Sequence, residues 1–227
     1  MKRMLVLVGN FSASLFSTSI TAERQLEYRY AVACNFIHSD IREHLPTLRW
    51  LATECASVVE IGVRDMDSSW GLLKGLSENP HRERSYLGID IHSPPHETLN
   101  LAREISREIG ISFRFWEAND MHIDIEPTEL LFIDSLHTYC HLTYELEKFS
   151  PKITKYIAMH DTSEPWEYRN DNEYYGNYSE YPPPYNCTKQ GLWPAVEDFL
   201  KRHPEWGLHA RFLNNHGFTI LKRVTRQ

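Results

Sequence analysis

The chain has 227 residues, 41% of them hydrophobic and 24% charged, with a formal net charge of −7. These proportions describe a globular domain large enough for a substantial core, and the acidic balance without a long basic run excludes general binding to nucleic acid. No apolar run approaches the ~18 residues that a membrane-spanning helix needs, so no membrane partner is expected.

Lys2 and Arg3 ahead of the apolar residues 4–8 imitate a signal peptide, but the run is short for export and a cytoplasmic location is expected. Cys34, Cys55, Cys140 and Cys187 lie far apart with no C-x-x-C pair, and read as free thiols in a reducing compartment. Residues 5–8 fit a strand or a packed arm, and the Ser/Thr-rich residues 12–21 read as loop. Residues 23–36 form a helical pattern with Leu26, Tyr30, Ala33 and Cys34 on one side. This divides the chain into an N-terminal arm and helix, 1–38, and a main domain, 39–227. In the domain Ser39 can cap a segment striped by Leu45, Leu48, Leu51, Ala52 and Cys55.

Strands and helices then alternate. Strands are expected at 57–61, 85–91, 111–116, 130–134 and 155–159, with helices at 68–76, 96–109 and 137–149 between them. Such alternation calls for a parallel sheet with right-handed crossovers. Residues 164–189 are polar and rich in Tyr, Asn and Pro, too long for an ordinary connection, and read as a lid or acceptor loop over 163–189. A helix at 191–203 follows, and two β-rich runs around Asn214-Asn215-His216-Gly217 read as a closing antiparallel hairpin.

The polar residues at the strand ends carry the chemistry. Open α/β sheets bind ligands beyond the carboxyl ends of their strands. Asp134 closes an apolar run and His137 follows three residues later; His160-Asp161 closes the next strand. Glu60 and Gly62 end the first strand, where glycine lets a backbone turn closely against a ligand. Asp90 ends the second, where a carboxylate can bind both hydroxyls of a ribose, and Asn119-Asp120 after the third could reach an adenine edge. Each has a plainer reading beside it: a strand-ending glycine, a capping carboxylate, a solvated turn. Asp134 could cap the next helix with His137 in its first turn. His160 reads equally as structural, His141 as packing, and His38, His44, His81, His203 and His209 as ordinary surface or loop groups. Tyr174, Tyr175, Tyr178, Tyr181 and Tyr185 could stack on a ring or pack the loop, and Trp166 lies nearest Asp161.

Taken together, EIGVR at 60–64, GIDI at 88–91, FIDSLHTY at 132–139, MHDT at 159–162 and the hairpin resemble the class I S-adenosylmethionine-dependent methyltransferases. Within them the chain looks most like the small-molecule O-methyltransferases that include macrocin O-methyltransferase and the cephalosporin hydroxylase-like proteins. The resemblance implies a Rossmann-like, seven-stranded, mostly parallel sheet of order 3-2-1-4-5-7-6 with helices on both faces. It implies S-adenosyl-L-methionine as cofactor, held by Glu60, Gly62, Arg64, Ser68, Ser69, Asp90, Asn119 and Asp120. It makes His137 the general base and Asp134 and Asp161 ligands of a divalent metal, Mg²⁺ or Mn²⁺. Two positions depart from the pattern. His160 replaces an acidic residue and becomes a third candidate ligand, and Asp65 and Met66 stand where glycines are usual.

The implied reaction methylates a hydroxyl, on a sugar of a glycan or of a glycosylated small molecule, with Trp166, Tyr174 and Tyr178 against the acceptor. An aliphatic hydroxyl is a poor nucleophile, which is why base and metal would both be needed. The rivals are a phenolic or catechol-type O-methyltransferase, a binding domain that keeps the fold without turnover, and a nicotinamide dehydrogenase, which lacks its G-x-G-x-x-G here. A homo-oligomer is compatible with all of them.

Overall fold

The structure is a computed structural model that describes residues 20–171 and 188–224. Its helices are α1 (Ala22–Asn35), α2 (Leu45–Thr53), α3 (Asp67–Glu78), α4 (His96–Glu108), α5 (Tyr139–Phe149) and α6 (Leu192–Arg202). Its strands are β1 (Ser57–Ile61), β2 (Arg84–Asp90), β3 (Ile111–Glu117), β4 (Thr128–Ile133), β5 (Ile153–His160), β6 (Trp206–Phe212) and β7 (Phe218–Arg223). They form one seven-stranded sheet in the order β3-β2-β1-β4-β5-β7-β6, the order expected from the resemblance. Pairing is parallel from β3 to β5 and antiparallel at β7 and β6.

The central strands read as continuous apolar runs because both faces are covered. Val58, Leu130, Phe132, Tyr156, Ala158 and Ile220 join the core shared with α1, α2, α3 and α4. Their alternate neighbours Val59, Leu131, Ile133, Ile157, Met159 and Leu221 join the core shared with α5 and α6. Burying each large apolar side chain is worth about 1.5–3 kcal/mol, so the strand register is fixed on two faces at once. α1 belongs to the first of these cores through Ala22, Leu26, Tyr30 and Ala33.

Register brings the site together. Ile133 of β4 lies beside Ile61 of β1 and Met159 of β5, and His160 pairs with Phe218 of β7. The ends of β1, β4 and β5 and the β6–β7 turn therefore share one edge. Gly62 makes the closest junction there. It holds φ +85°, and a Cβ on it would sit 2.0 Å from the Asp134 carbonyl oxygen. Its freedom serves contact with the β4 backbone, a role that the reading from sequence did not include.

Two further expectations change. α5 begins at Tyr139, because Thr138 is extended and caps it by accepting from the His141 N–H; His137 therefore lies in the turn after β4. Cys140 is disulfide-bonded, so the reading of all four cysteines as free thiols fails. Cys34 and Cys55 are free, and Cys187 lies outside the described residues. The argument for a reducing compartment loses its premise. No helix among the described residues is long and apolar enough to cross a membrane.

Candidate functional site

At the β1 and β2 end, Glu60 is fully buried. It accepts hydrogen bonds from the Ser68 hydroxyl, the Ser69 hydroxyl at 2.6 Å and the Tyr86 hydroxyl. Burial pushes its carboxyl up to about 7 against the pull of those donors. The Ser68 and Ser69 hydroxyls donate to Glu60 and pin the start of α3 to β1.

Asp90 Oδ2 accepts from the backbone N–H groups of Val63 at 2.8 Å and Arg64 at 2.9 Å, and Oδ1 accepts from His92 N–H at 2.9 Å. The carboxylate braces the loop between β1 and α3. In that loop Arg64 and Met66 hold φ of 45° and 73°. Left-handed backbone costs an L-residue about 1–2 kcal/mol, so the loop keeps a glycine-like turn without the glycines. The Arg64 side chain is largely in solvent, 3.9 Å from Asp65. Asn119 caps a short turn by accepting from Met121 N–H at 2.8 Å. Asp120 is buried and faces His141 Nε2 at 3.3 Å.

The β4 and β5 end is built differently. His137 Nε2 lies 3.0 Å from Asp161 Oδ2 and 3.8 Å from Asp134 Oδ1. Asp161 is almost wholly buried, with φ +58° that turns its carboxylate back over the strand end, whereas His137 keeps 24% of its side chain exposed. His160 Nε2 stands 3.0 Å from the Asn215 carbonyl oxygen and so carries a proton. Its Nδ1 then faces Asp134 Oδ1 at 3.4 Å and Asp161 Oδ2 at 3.1 Å without a hydrogen bond. A bare lone pair against two carboxylates is repulsive, so this nitrogen is protonated or shares a cation with them.

Burial alone would depress the histidines, but Asp134 and Asp161 outweigh it. His137 is raised to about 10 and His160 well above its ordinary value. Burial would raise Asp161, but the charge on His160 and the close approach of the His137, His160 and His216 imidazoles hold it far below the carboxylate range. Asp134 is lowered in the same way, with His160 opposing its burial. Donor atoms of Asp134, His137 and Asp161 lie within 4.8 Å of one another, a set that could hold a divalent cation. Two carboxylates and an imidazole suit Mn²⁺, Fe²⁺ or Zn²⁺ better than a wholly oxygen-liganded ion. The geometry groups His137 with Asp134 and Asp161, while His160 Nδ1 lies beside both carboxylates.

Trp166 stacks on His137 at 5.7 Å between ring centroids and 26° between planes. Its carbonyl accepts from Leu192 N–H at 3.0 Å, so the start of α6 holds it in place. Asn170 Oδ1 accepts from Tyr139 N–H and Gly191 N–H, each at 2.9 Å, and Asp171 N–H donates to the His137 carbonyl at 2.8 Å. Tyr174 and Tyr178 lie outside the described residues. A cavity of about 10 Å³, the size of one water, is lined in part by Asp134, Ser135, His137, Glu145 and His160.

Several groups at this edge escaped the sequence reading. His216 Nδ1 lies 3.2 Å from Asp161 Oδ1, and Asp171 Oδ2 lies 3.8 Å from His137 Nδ1. His44 is buried and stacks on Phe218, with Nε2 2.9 Å from the Asn214 carbonyl, so it is not a surface group. The usable signal was the hairpin: the order β5-β7 places the turn between β6 and β7 beside the end of β5.

No family profile matches the sequence, and no curated protein matches it. Solved structures do match in fold. An O-methyltransferase from Bacillus cereus in complex with S-adenosylhomocysteine is 12% identical, with a TM-score of 0.52 over 92% of this chain and 94% of that one. An O-methyltransferase from Streptomyces achromogenes, involved in tomaymycin synthesis and bound to S-adenosylmethionine, is 13% identical, with a TM-score of 0.53 over 93% of each chain. A methyltransferase from Podospora anserina bound to S-adenosylhomocysteine is 12% identical, with a TM-score of 0.53 over 88% of each. The chain has the Rossmann-like fold of these methyltransferases.

Proposed function

We propose that the protein is an S-adenosylmethionine-dependent O-methyltransferase of the macrocin O-methyltransferase-like group, acting on a sugar hydroxyl with His137 as general base. The observation that carries this reading is the approach of His137, about a quarter exposed, to Asp134 and Asp161 at the carboxyl ends of β4 and β5. The methylated or methyl-depleted cofactor bound in neighbours of this fold supports the donor.

In the reaction the acceptor oxygen attacks the sulfonium methyl carbon, the sulfur–carbon bond breaks, and the hydroxyl proton goes to His137 Nε2. Alignment of donor and acceptor can lower the barrier by up to roughly 7–11 kcal/mol, and the base can add about 10²–10⁴-fold. Trp166 supplies an apolar face beside the imidazole for a sugar ring. Asp134 and Asp161 raise His137 to about 10, so it can take up the hydroxyl proton only where the charge of those carboxylates is balanced. A divalent cation on Asp134, Asp161 and His160 would neutralise the carboxylates, free His137 of its proton and acidify a nearby hydroxyl.

A second reading, a binding domain without turnover, rests on the departures at Asp65, Met66 and His160 from the pattern of the resembled enzymes. Calorimetry with S-adenosylhomocysteine, with and without Mn²⁺, followed by turnover on free and glycosidic sugars, separates the readings. Binding with transfer supports the enzyme; binding without transfer to any acceptor supports the domain; no binding sinks both.

A further inference from the structure

A second convergence of metal-type side chains lies against α5. Asp120, His141 and Glu145 are all buried, and one donor atom of each lies within 4.8 Å of the others. His141 Nε2 is 3.3 Å from Asp120 Oδ2 and 3.6 Å from Glu145 Oε1. His141 and Glu145 stand four residues apart, so they share one face of the helix. Ser135 Oγ donates to Glu145 Oε1 at 2.7 Å. Asp120 Oδ2, turned toward the imidazole, and Glu145 Oε2 are shielded from solvent and make no hydrogen bond. The nearest ammonium, Lys148, gives its protons to the backbone carbonyls of Asp120 and Met121 at 2.7 and 2.8 Å.

Charge decides what this cluster needs. Two ionised carboxylates and one imidazolium leave a surplus negative charge, and a buried uncompensated charge costs several kcal/mol. Without a further cation the structure escapes by protonation: burial pushes the Glu145 carboxyl up to about 8 against the pull of His141. A divalent cation with a neutral His141 and both carboxylates ionised sums to zero and engages Asp120 Oδ2, the unpartnered oxygen that faces the imidazole.

We propose that Asp120, His141 and Glu145 form a second divalent-cation site, of the Mn²⁺ or Zn²⁺ type, separate from the site at Asp134 and Asp161. One nitrogen and two carboxylates are the donor chemistry of such ions. Bound there, the ion ties α5 to the turn after β3. Through Ser135, the neighbour of Asp134, it also steadies the loop that carries Asp134 and His137. It does not depend on the methyltransferase reading.

The test counts Mn²⁺ on the full chain by electron paramagnetic resonance in the wild type, Asp161→Asn, Glu145→Gln and the double variant. The expected outcome is that Glu145→Gln binds one ion fewer than the wild type, and that the double variant binds one fewer than Asp161→Asn. Equal uptake by Asp161→Asn and the double variant overturns the proposal, whether or not Asp161→Asn has itself lost an ion. Should Glu145→Gln fail to fold, Asp120→Asn, with its side chain at the edge of the cluster, gives the same count. The rise in Tm with saturating Mn²⁺ should also shrink in that variant if the site exists.

Discussion

The two ends of this site use the same kinds of residue to opposite effect. Glu60 sits fully sealed among the hydroxyls of Ser68, Ser69 and Tyr86, neutral donors from α3 and β2. Asp134 and Asp161 sit among imidazoles, and one of those, His137, reaches solvent. A sealed carboxylate met by neutral donors is pushed toward protonation, here to about 7. Carboxylates met by imidazoles stay ionised and raise their partners instead. The first arrangement holds β1, β2 and α3 in register. The second stores charge at a surface where a substrate can arrive. A strand-end carboxylate is therefore diagnostic only together with what faces it.

The largest effect should come from breaking the second network. His137→Ala is expected to lower kcat by about 10²–10⁴-fold while leaving the affinity for S-adenosylhomocysteine unchanged. Single-turnover kinetics alongside calorimetry would measure both. A loss below tenfold would remove His137 from the base role and point to a phenolic acceptor that ionises with little help.

Next in size is the junction between the networks. Gly62→Ala places a methyl where the Asp134 carbonyl stands and forces an L-residue into left-handed backbone. The backbone penalty alone is about 1–2 kcal/mol, and relief of the clash must move the β4 end. Urea denaturation should show a loss of at least that size. Activity should fall further than stability explains, because Asp134 moves with its carbonyl. Unchanged activity in the folded fraction would show that Asp134 tolerates displacement.

These two positions also show what sequence could and could not convey. The sheet was legible because its information is local and repetitive: apolar runs at 57–61 and 130–134 are the mark of strands covered on both faces. Asp134, His137 and Asp161 were legible because they close or shortly follow the apolar runs at 130–134 and 155–159. The roles of Ser68, Ser69 and Gly62 were not, since each depends on a partner from another strand or helix, Glu60 or the Asp134 carbonyl. His216 and His44 were hidden for the same reason. They reach the site only through the pairing of β7 with β5 and the packing of the segment before α2 on Phe218.

The first network predicts a smaller, pH-dependent effect. Glu60 has an ordinary value of 4.5 and is raised to about 7 in the folded chain. Between those values the unfolded chain has released the proton that the folded chain keeps. Stability therefore falls as pH rises through this window, by about 1.4 kcal/mol for each unit between the two values. Glu60→Gln keeps the shape but cannot ionise, so its stability relative to the wild type should improve from pH 5 to pH 8. Urea midpoints at the two pH values measure this. Parallel shifts in both proteins would mean that Glu60 is ionised throughout and that the three hydroxyls suffice to solvate it.

The smallest effect belongs to Trp166, which borders the second network without joining it. Its ring lies over His137 and its backbone is fixed by α6 and not by its own side chain. Removing the ring should leave the Trp166 backbone in place and take away only a stacking surface, worth about 0.5–1.5 kcal/mol. For an acceptor that packs against that surface, Trp166→Ala should raise KM by about 3–10-fold with kcat nearly constant. Trp166→Phe should restore most of the loss. If kcat falls instead and KM holds, the indole acts on the imidazole by fixing its orientation, and Trp166 belongs to the charged network after all. The split between KM and kcat thus draws the boundary between the groups that hold charge and the groups that meet the acceptor.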